Sequence, residues 1–229
     1  MGSRIKPMKK YLYLAIYLSL GLFGSLNATV IFSDNFQSGP SSSWGNQVGN
    51  WIAQDGKYYA SATGSSFPLW PLRHTLLPFE ITDFTVDLKM WDFKDGGIML
   101  RAQDSQNAIL LVVGGLGGFG DYMYWHILQN GNVGSGLNAS SSIGAIGQYD
   151  PTLHIVVEGD TYKVYLDGSA NPATTLTTSA FSSGKVGLFD NASPETSFSD
   201  IVITVPEPSA LSLLAVGLGV LFRRSRKRD

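Results

Sequence analysis

Residues 84–91, Phe-Thr-Val-Asp-Leu-Lys-Met-Trp, alternate apolar and polar side chains without a break, and this period of two most limits the folds open to the chain. As an extended strand the segment sets Phe84, Val86, Leu88 and Met90 on one face and Thr85, Asp87, Lys89 and Trp91 on the other. Short runs of the same kind recur at 97–102, 108–113, 122–129, 153–158, 161–166, 184–189 and 198–203, bounded by Gly, Asp, Asn, Ser or Pro. Gly159-Asp160 separates two of them and predicts a tight hairpin. Between the two ends of the chain no stretch holds a helical period, so crossover helices and a parallel sheet are excluded. The expectation is all-β: two stacked antiparallel sheets.

Nothing cross-links such a sandwich here, because the chain has no cysteine. That removes disulfides, thiolate metal sites and a cysteine nucleophile together. Charge is segregated. Nine of the 16 Lys and Arg residues lie near the termini, whereas the middle holds seven basic against sixteen acidic residues, a net of −9. A body of that sign repels phosphate backbones, and its lysines and arginines are scattered, so nucleic acid is excluded as a partner. Neutral glycans and cations are compatible with the field.

The ends read as targeting segments. Residues 1–28 combine a basic start (Arg4, Lys6, Lys9, Lys10), an apolar run at 11–23 and small residues to Ala28, the layout of a secretory signal peptide. Leu26 is bulky for the position three before the cut, which leaves a retained anchor helix as the alternative. At the other end Val205-Pro206-Glu207-Pro208 stops the last strand pattern. Apolar residues 210–222 follow, then Arg223, Arg224, Arg226, Lys227 and Arg228. A helix over 210–222 would measure about 20 Å, short for a membrane span, and the basic cluster would hold its end in the cytoplasm.

Pro-Glu-Pro, a short apolar helix and an Arg-rich end, in that order, resemble the PEP-CTERM sorting signal of Gram-negative bacteria. The resemblance implies an exosortase as partner, a precursor held transiently in the inner membrane with its domain in the periplasm, and delivery to the cell surface or medium, often beside exopolysaccharide. Pro206, Glu207 and Pro208, with Arg223 and Arg224, are then recognition residues. The expected division is a signal peptide at 1–28, a sandwich at 29–205 and a sorting signal at 206–229 with its transmembrane helix at 210–222.

A second resemblance spans most of 30–204. Phe32-Ser33-Asp34-Asn35-Phe36, Gly96-Gly97-Ile98-Met99-Leu100-Arg101, Val164-Tyr165-Leu166-Asp167-Gly168 and Gly184-Lys185-Val186-Gly187-Leu188 with Phe198-Ser199-Asp200-Ile201 are, in their order, similar to the concanavalin A-like lectin/glucanase jelly roll in its laminin-G-like branch. It implies a curved sandwich whose concave sheet often holds a glycan and whose rim sometimes holds calcium.

For chemistry, the Glu-x-Asp-x-Glu pattern that would supply a retaining glucanase with its two carboxyl groups is absent. His74, His126 and His154 lack metal-ligand spacing, and Gly114 to Gly120 lack the helix and Lys-Ser/Thr of a phosphate loop. Aromatic rings stack on sugar C–H faces, and an arginine fork bonds hydroxyls. On 122–129 the alternation sets Trp125 toward the core and leaves Tyr124 and His126 exposed on the concave surface; with Trp91 and Arg101 they are expected to line one glycan groove. The competing reading is that all four are ordinary sheet positions. Trp44, Trp51 and Trp70 fall in loop-rich stretches that cap the sandwich. Asp34, Asn35 and Asp200 are candidate calcium ligands, because first and last strands pair in this fold. No other cofactor is expected. The reading is a non-catalytic carbohydrate-binding or matrix module, with a glycoside-cleaving enzyme of the same fold and an inert matrix protein as alternatives.

Overall fold

A computed structural model describes residues 28–61, 73–115, 121–144, 149–191 and 196–207. The expected signal helix, the helix at 210–222, Pro208, Arg223, Arg224 and Trp70 lie outside them. Val30–Val205 forms one compact unit. Among the described residues the expected sandwich is present as two antiparallel sheets.

The first sheet contains β1 (Ala28–Asp34), β3 (Asn50–Gln54), β4 (Lys57–Ser61), β6 (Phe84–Trp91), β11 (Thr152–Glu158), β12 (Thr161–Leu166), β13 (Thr174–Thr177) and β15 (Ser197–Pro206). Its order is β13-β12-β11-β6-β15-β4-β3, with β1 also on β15. The second holds β2 (Gly45–Val48), β5 (Arg73–Leu76), β7 (Gly96–Asp104), β8 (Asn107–Val113), β9 (Met123–Gln129), β10 (Asn132–Val133) and β14 (Lys185–Asp190), in the order β10-β9-β8-β7-β14-β5-β2. The alternation of 84–91 is realised residue by residue: Phe84, Val86, Leu88 and Met90 are buried, and the intervening four are half-buried. Register aligns these rows, pairing Val86 with Ile155 and with Ile203. They meet Ile98, Leu100, Ile109, Leu111, Trp125 and Leu188 from the second sheet in one interior.

Where β1 leaves the sheet, one carboxylate organises an aromatic end-cluster. Asp34 Oδ1 accepts from the Phe36 N–H at 2.9 Å, while Oδ2 accepts from the Ser41 N–H at 2.7 Å and Trp44 Nε1 at 3.0 Å. These bonds hold Phe36 at φ +57°, a costly backbone for an aromatic residue, so that its ring stacks on Tyr58 at 4.8 Å. Trp44 and Trp51 complete the cluster from the interior, and Trp51 belongs to β3 rather than to a capping loop.

Arg101 departs most from expectation. Simple alternation after Leu100 would point it outward, but the pairing of β7 slips between Leu100 and Asp104 and on its other side between Lys185 and Gly187. At this bulge Arg101 takes φ +47° and turns inward, leaving the residue 1 % exposed. Nε and Nη2 donate to the Thr82 carbonyl at 3.0 and 2.7 Å, and Nη1 donates to the Phe181 carbonyl at 2.9 Å and to Tyr162 Oη at 3.3 Å. Asp83 Oδ1, at 3.4 Å, supplies the countercharge. Arg101 is therefore a buried brace, not a surface group. The bulge also needs Gly184 at φ +151°: a Cβ there would stand 2.4 Å from the Arg101 carbonyl carbon.

A second buried charge lies in the β6–β7 turn. Asp95, 6 % exposed at φ +50°, donates its N–H to the Gly114 carbonyl and accepts from the Asn191 N–H. Burial pushes its carboxyl up to about 6. A raised carboxyl binds a proton more tightly in the folded chain, so its contribution is complete below the unfolded value near 4 and fades as pH rises through 6. Asp95→Asn is expected to raise stability at pH 7 by up to the order of 3 kcal/mol and to flatten the pH 4–6 stretch of the stability profile. Arg101→Ala, which strands the Thr82 carbonyl and leaves the Tyr162 hydroxyl and the Phe181 carbonyl only their 3.4 Å bond to each other, is expected to cost about 3 kcal/mol or more, and Gly184→Ala to be clearly destabilising, in thermal denaturation.

Candidate functional site

The outer face of the first sheet carries Thr85, Asp87, Lys89 and Trp91 from β6. Trp91 Nε1 donates to Ser199 Oγ at 2.9 Å, and Ser199 Oγ donates to Asp200 Oδ2 at 2.9 Å. Lys57 and Lys89 place their ammonium groups 4.1 and 3.7 Å from the centre of the Trp91 ring. The ring is thus already a cation platform, and a sugar stacking on a lysine-covered face would have to displace that lysine. His154 is half-exposed and pairs through Nδ1 with Asp87 Oδ1 at 2.7 Å.

Beside this face lies a cleft of about 380 Å³ lined by Ser33, Asp34 and Asn35 from the end of β1 and by Asp200, Ile201 and Val202 from β15. A bulge builds it. The β15–β6 register shifts between Ser199 and Val202, and Asp200 sits in the shift at φ +52° with its side chain in solvent. The pairing of β1 with β15 brings Asp34 and Asn35 opposite, so the three candidate calcium ligands share one cleft. Their roles differ. Asp34 is bound up in the three N–H bonds of the aromatic cluster, and Asn35 Oδ1 accepts from the Gln37 N–H at 3.1 Å. The Asp200 carboxylate, exposed and accepting from the Ser199 hydroxyl at 2.9 Å, is the more available.

Tyr124 and His126 lie in the second sheet, on its outer face, where Met99, Leu110, Val112 and Phe189 form a second apolar cluster. Both were expected to be exposed; both are buried, at 4 % and 9 %. An apolar row with 0 % exposure at Met99, Leu110 and Val112 leaves little open surface around them. The two rings meet edge to face at 5.2 Å. Burial, then the nearby Asp95 charge, pushes the Tyr124 hydroxyl up to about 12. Burial pushes His126 down, against hydrogen bonds to the backbone of Gly134 and Ser135. Both are neutral near pH 7. The alternation rightly set Trp125 inward, at 0 % exposure.

The four expected groove residues therefore do not converge. Trp91 is on the first sheet, Tyr124 and His126 are on the outside of the second, and Arg101 points into the interior. Sequence reading missed Ser199 and Lys57 beside Trp91; the pairing of β15 with β6 brings the first and that of β15 with β4 the second, and period alone reveals neither.

Residues 204–227 match the PEP-CTERM protein-sorting motif. No curated protein matches the chain. Among solved structures, the carbohydrate-binding module CBM66 from Bacillus subtilis is similar with a TM-score of 0.52 and 21 % identity, covering 69 % of this chain and 91 % of its own. A Bacillus licheniformis β-glucanase has a TM-score of 0.54 at 13 % identity, covering 80 % and 100 %. A Bacillus subtilis protein of unknown function with a galectin-like fold reaches 0.56 at 10 % identity, covering 80 % and 100 %. At these identities the likeness establishes the jelly-roll fold, and the motif at 204–227 carries the implication of export and sorting.

Proposed function

We propose that the chain is delivered to the cell surface or medium by an exosortase-type enzyme, from a precursor anchored in the inner membrane of a Gram-negative cell, and that its sandwich is a non-catalytic carbohydrate-binding module of the exopolysaccharide matrix. One observation carries this: β15, a central strand of a jelly roll, runs directly into the sorting motif at 204–227. The cargo of the sorting signal is thus the sandwich itself. Glycan recognition is supported by the fold shared with CBM66 and the β-glucanase. Against cleavage, a retaining hydrolase of this fold sets two carboxyl groups across a glycosidic bond, and the sequence lacks the Glu-x-Asp-x-Glu pattern that would supply them. The acidic body favours neutral over anionic polymers.

The Ser33–Asp34–Asn35/Asp200 cleft is a second feature of this reading. Calcium takes about six to eight oxygens, and the cleft offers the Asp200 carboxylate with Asn35, Ser33 and backbone carbonyls beside it. So few free carboxylates suit a weak extracellular site that would hold the two chain-terminal strands together.

Affinity electrophoresis of the exported protein through gels containing neutral polysaccharides is expected to show retarded migration without release of reducing ends; turnover abolished by changing one acid would establish the hydrolase instead. Millimolar calcium is expected to raise the Tm of the native protein and not that of Asp200→Asn, a substitution that tolerates the φ of +52°.

A further inference from the structure

The sorting motif does not begin on a free linker. β15 extends through Pro206, so Val205 and the first residue of Pro-Glu-Pro are still strand, and β15 pairs with β1, whose first residues are Ala28 and Thr29. Thr29 Oγ1 donates to Glu207 Oε1 at 3.2 Å, joining the opening of the first strand to the acid of the motif. Here the ribbon is thinly supported: Ala28, Thr29, Val30 and Ile31 are all exposed, Val30 at 56 % and Ile31 at 37 %, and Pro206 and Glu207 are exposed opposite. Because Val30 and Ile31 point to opposite faces, exposure of both means that neither face of this segment is covered. Two strands alone in water are marginally stable, so this end opens more readily than the sheet behind it.

We propose that β1 is a clamp on the sorting motif: beyond Thr204, where the pairing of β15 with β6 ends, its N-terminal residues hold Val205 and Pro206 in the ribbon and Thr29 holds Glu207, and the sorting enzyme gains the motif only when that end of the ribbon opens. A peptide-processing enzyme takes its substrate as an extended, unpaired segment whose main-chain groups it bonds itself. Val205 and Pro206 already have the extended shape and lack only release from β1. Processing then follows the population of the opened ribbon. The partner is a membrane-held enzyme that reads an extended Pro-Glu-Pro segment, and the inference rests on the sorting reading above.

The test is pulse-chase conversion of the full chain to its processed form in a host that carries the sorting enzyme. Six Gly and Ser residues inserted between Thr204 and Val205 keep Val-Pro-Glu-Pro intact but detach it from the ribbon, and conversion is expected to quicken about fivefold or more. Thr29→Val, which removes the donor and keeps the shape and strand preference, is expected to quicken it about twofold. The combined change Pro206→Ala, Glu207→Ala and Pro208→Ala is the reference. If it leaves conversion intact, the sorting reading is overturned and the clamp with it. If it blocks conversion while the inserted chain converts at the native rate, the clamp alone is overturned.

Discussion

Within the apolar interior that the two sheets share, the buried Arg101 guanidinium ties one sheet to the other. Arg101 leaves β7 of the second sheet and reaches Tyr162 of the first, the Thr82 carbonyl at the entry to β6 and the Phe181 carbonyl in the loop after β13. An uncompensated guanidinium inside a sandwich would be prohibitive. Here its N–H groups are engaged, and Asp83, 43 % exposed, balances the charge from the rim. The bulge that aims the side chain inward and the glycine packed on that bulge belong to the same device. Gly184, Arg101 and Thr82 are one unit despite their distance in sequence, and they fix how β14 and β7 are placed against the opposite sheet.

Asp34 does at the chain entry what Arg101 does between the sheets. Its three acceptor bonds turn a potential ligand into the organiser of a cluster of Phe36, Trp44, Trp51 and Tyr58. Tyr58, whose hydroxyl burial pushes up to about 12, receives a bond from Gln47 Nε2 at 2.6 Å. Paired aromatic rings add to stability beyond the area they bury. Asp34 therefore anchors the cleft wall, and Asp200, held by a bulge and open to solvent, is the part of the cleft that can act on something else.

Much of the fold was legible because burial of one face imposes a period of two, and β6, β8, β9, β11, β12, β14 and β15 stand within a few residues of the runs that announced them. The strands not foreseen have weak signals for physical reasons. β2 (Gly-Asn-Gln-Val) and β13 (Thr-Thr-Leu-Thr) are short, polar and at sheet edges, where little apolar surface is buried. β5 (Arg-His-Thr-Leu) is buried throughout yet polar, its Arg73 paired with Asp190 at 3.6 Å. The candidate site was less legible. Alternation says which residues share a face, but a bulge reverses it at Arg101, and no period tells which outer face stays open, the point on which Tyr124 and His126 turned. The meeting of Asp34, Asn35 and Asp200 was legible because it depends only on which strands are neighbours.

The position of β15 has a bearing on when the molecule can form at all. It lies between β6 on one side and β4 with β1 on the other, so the last strand synthesised is an internal plank of its sheet. Without residues 197–206, β6 keeps β11 but lacks its neighbour on the other side, and the β3–β4 hairpin and β1 have nothing that joins them to the rest of the sheet. The first sheet is therefore completed by pairings far apart in sequence, the kind of closure that makes a β fold slow to form.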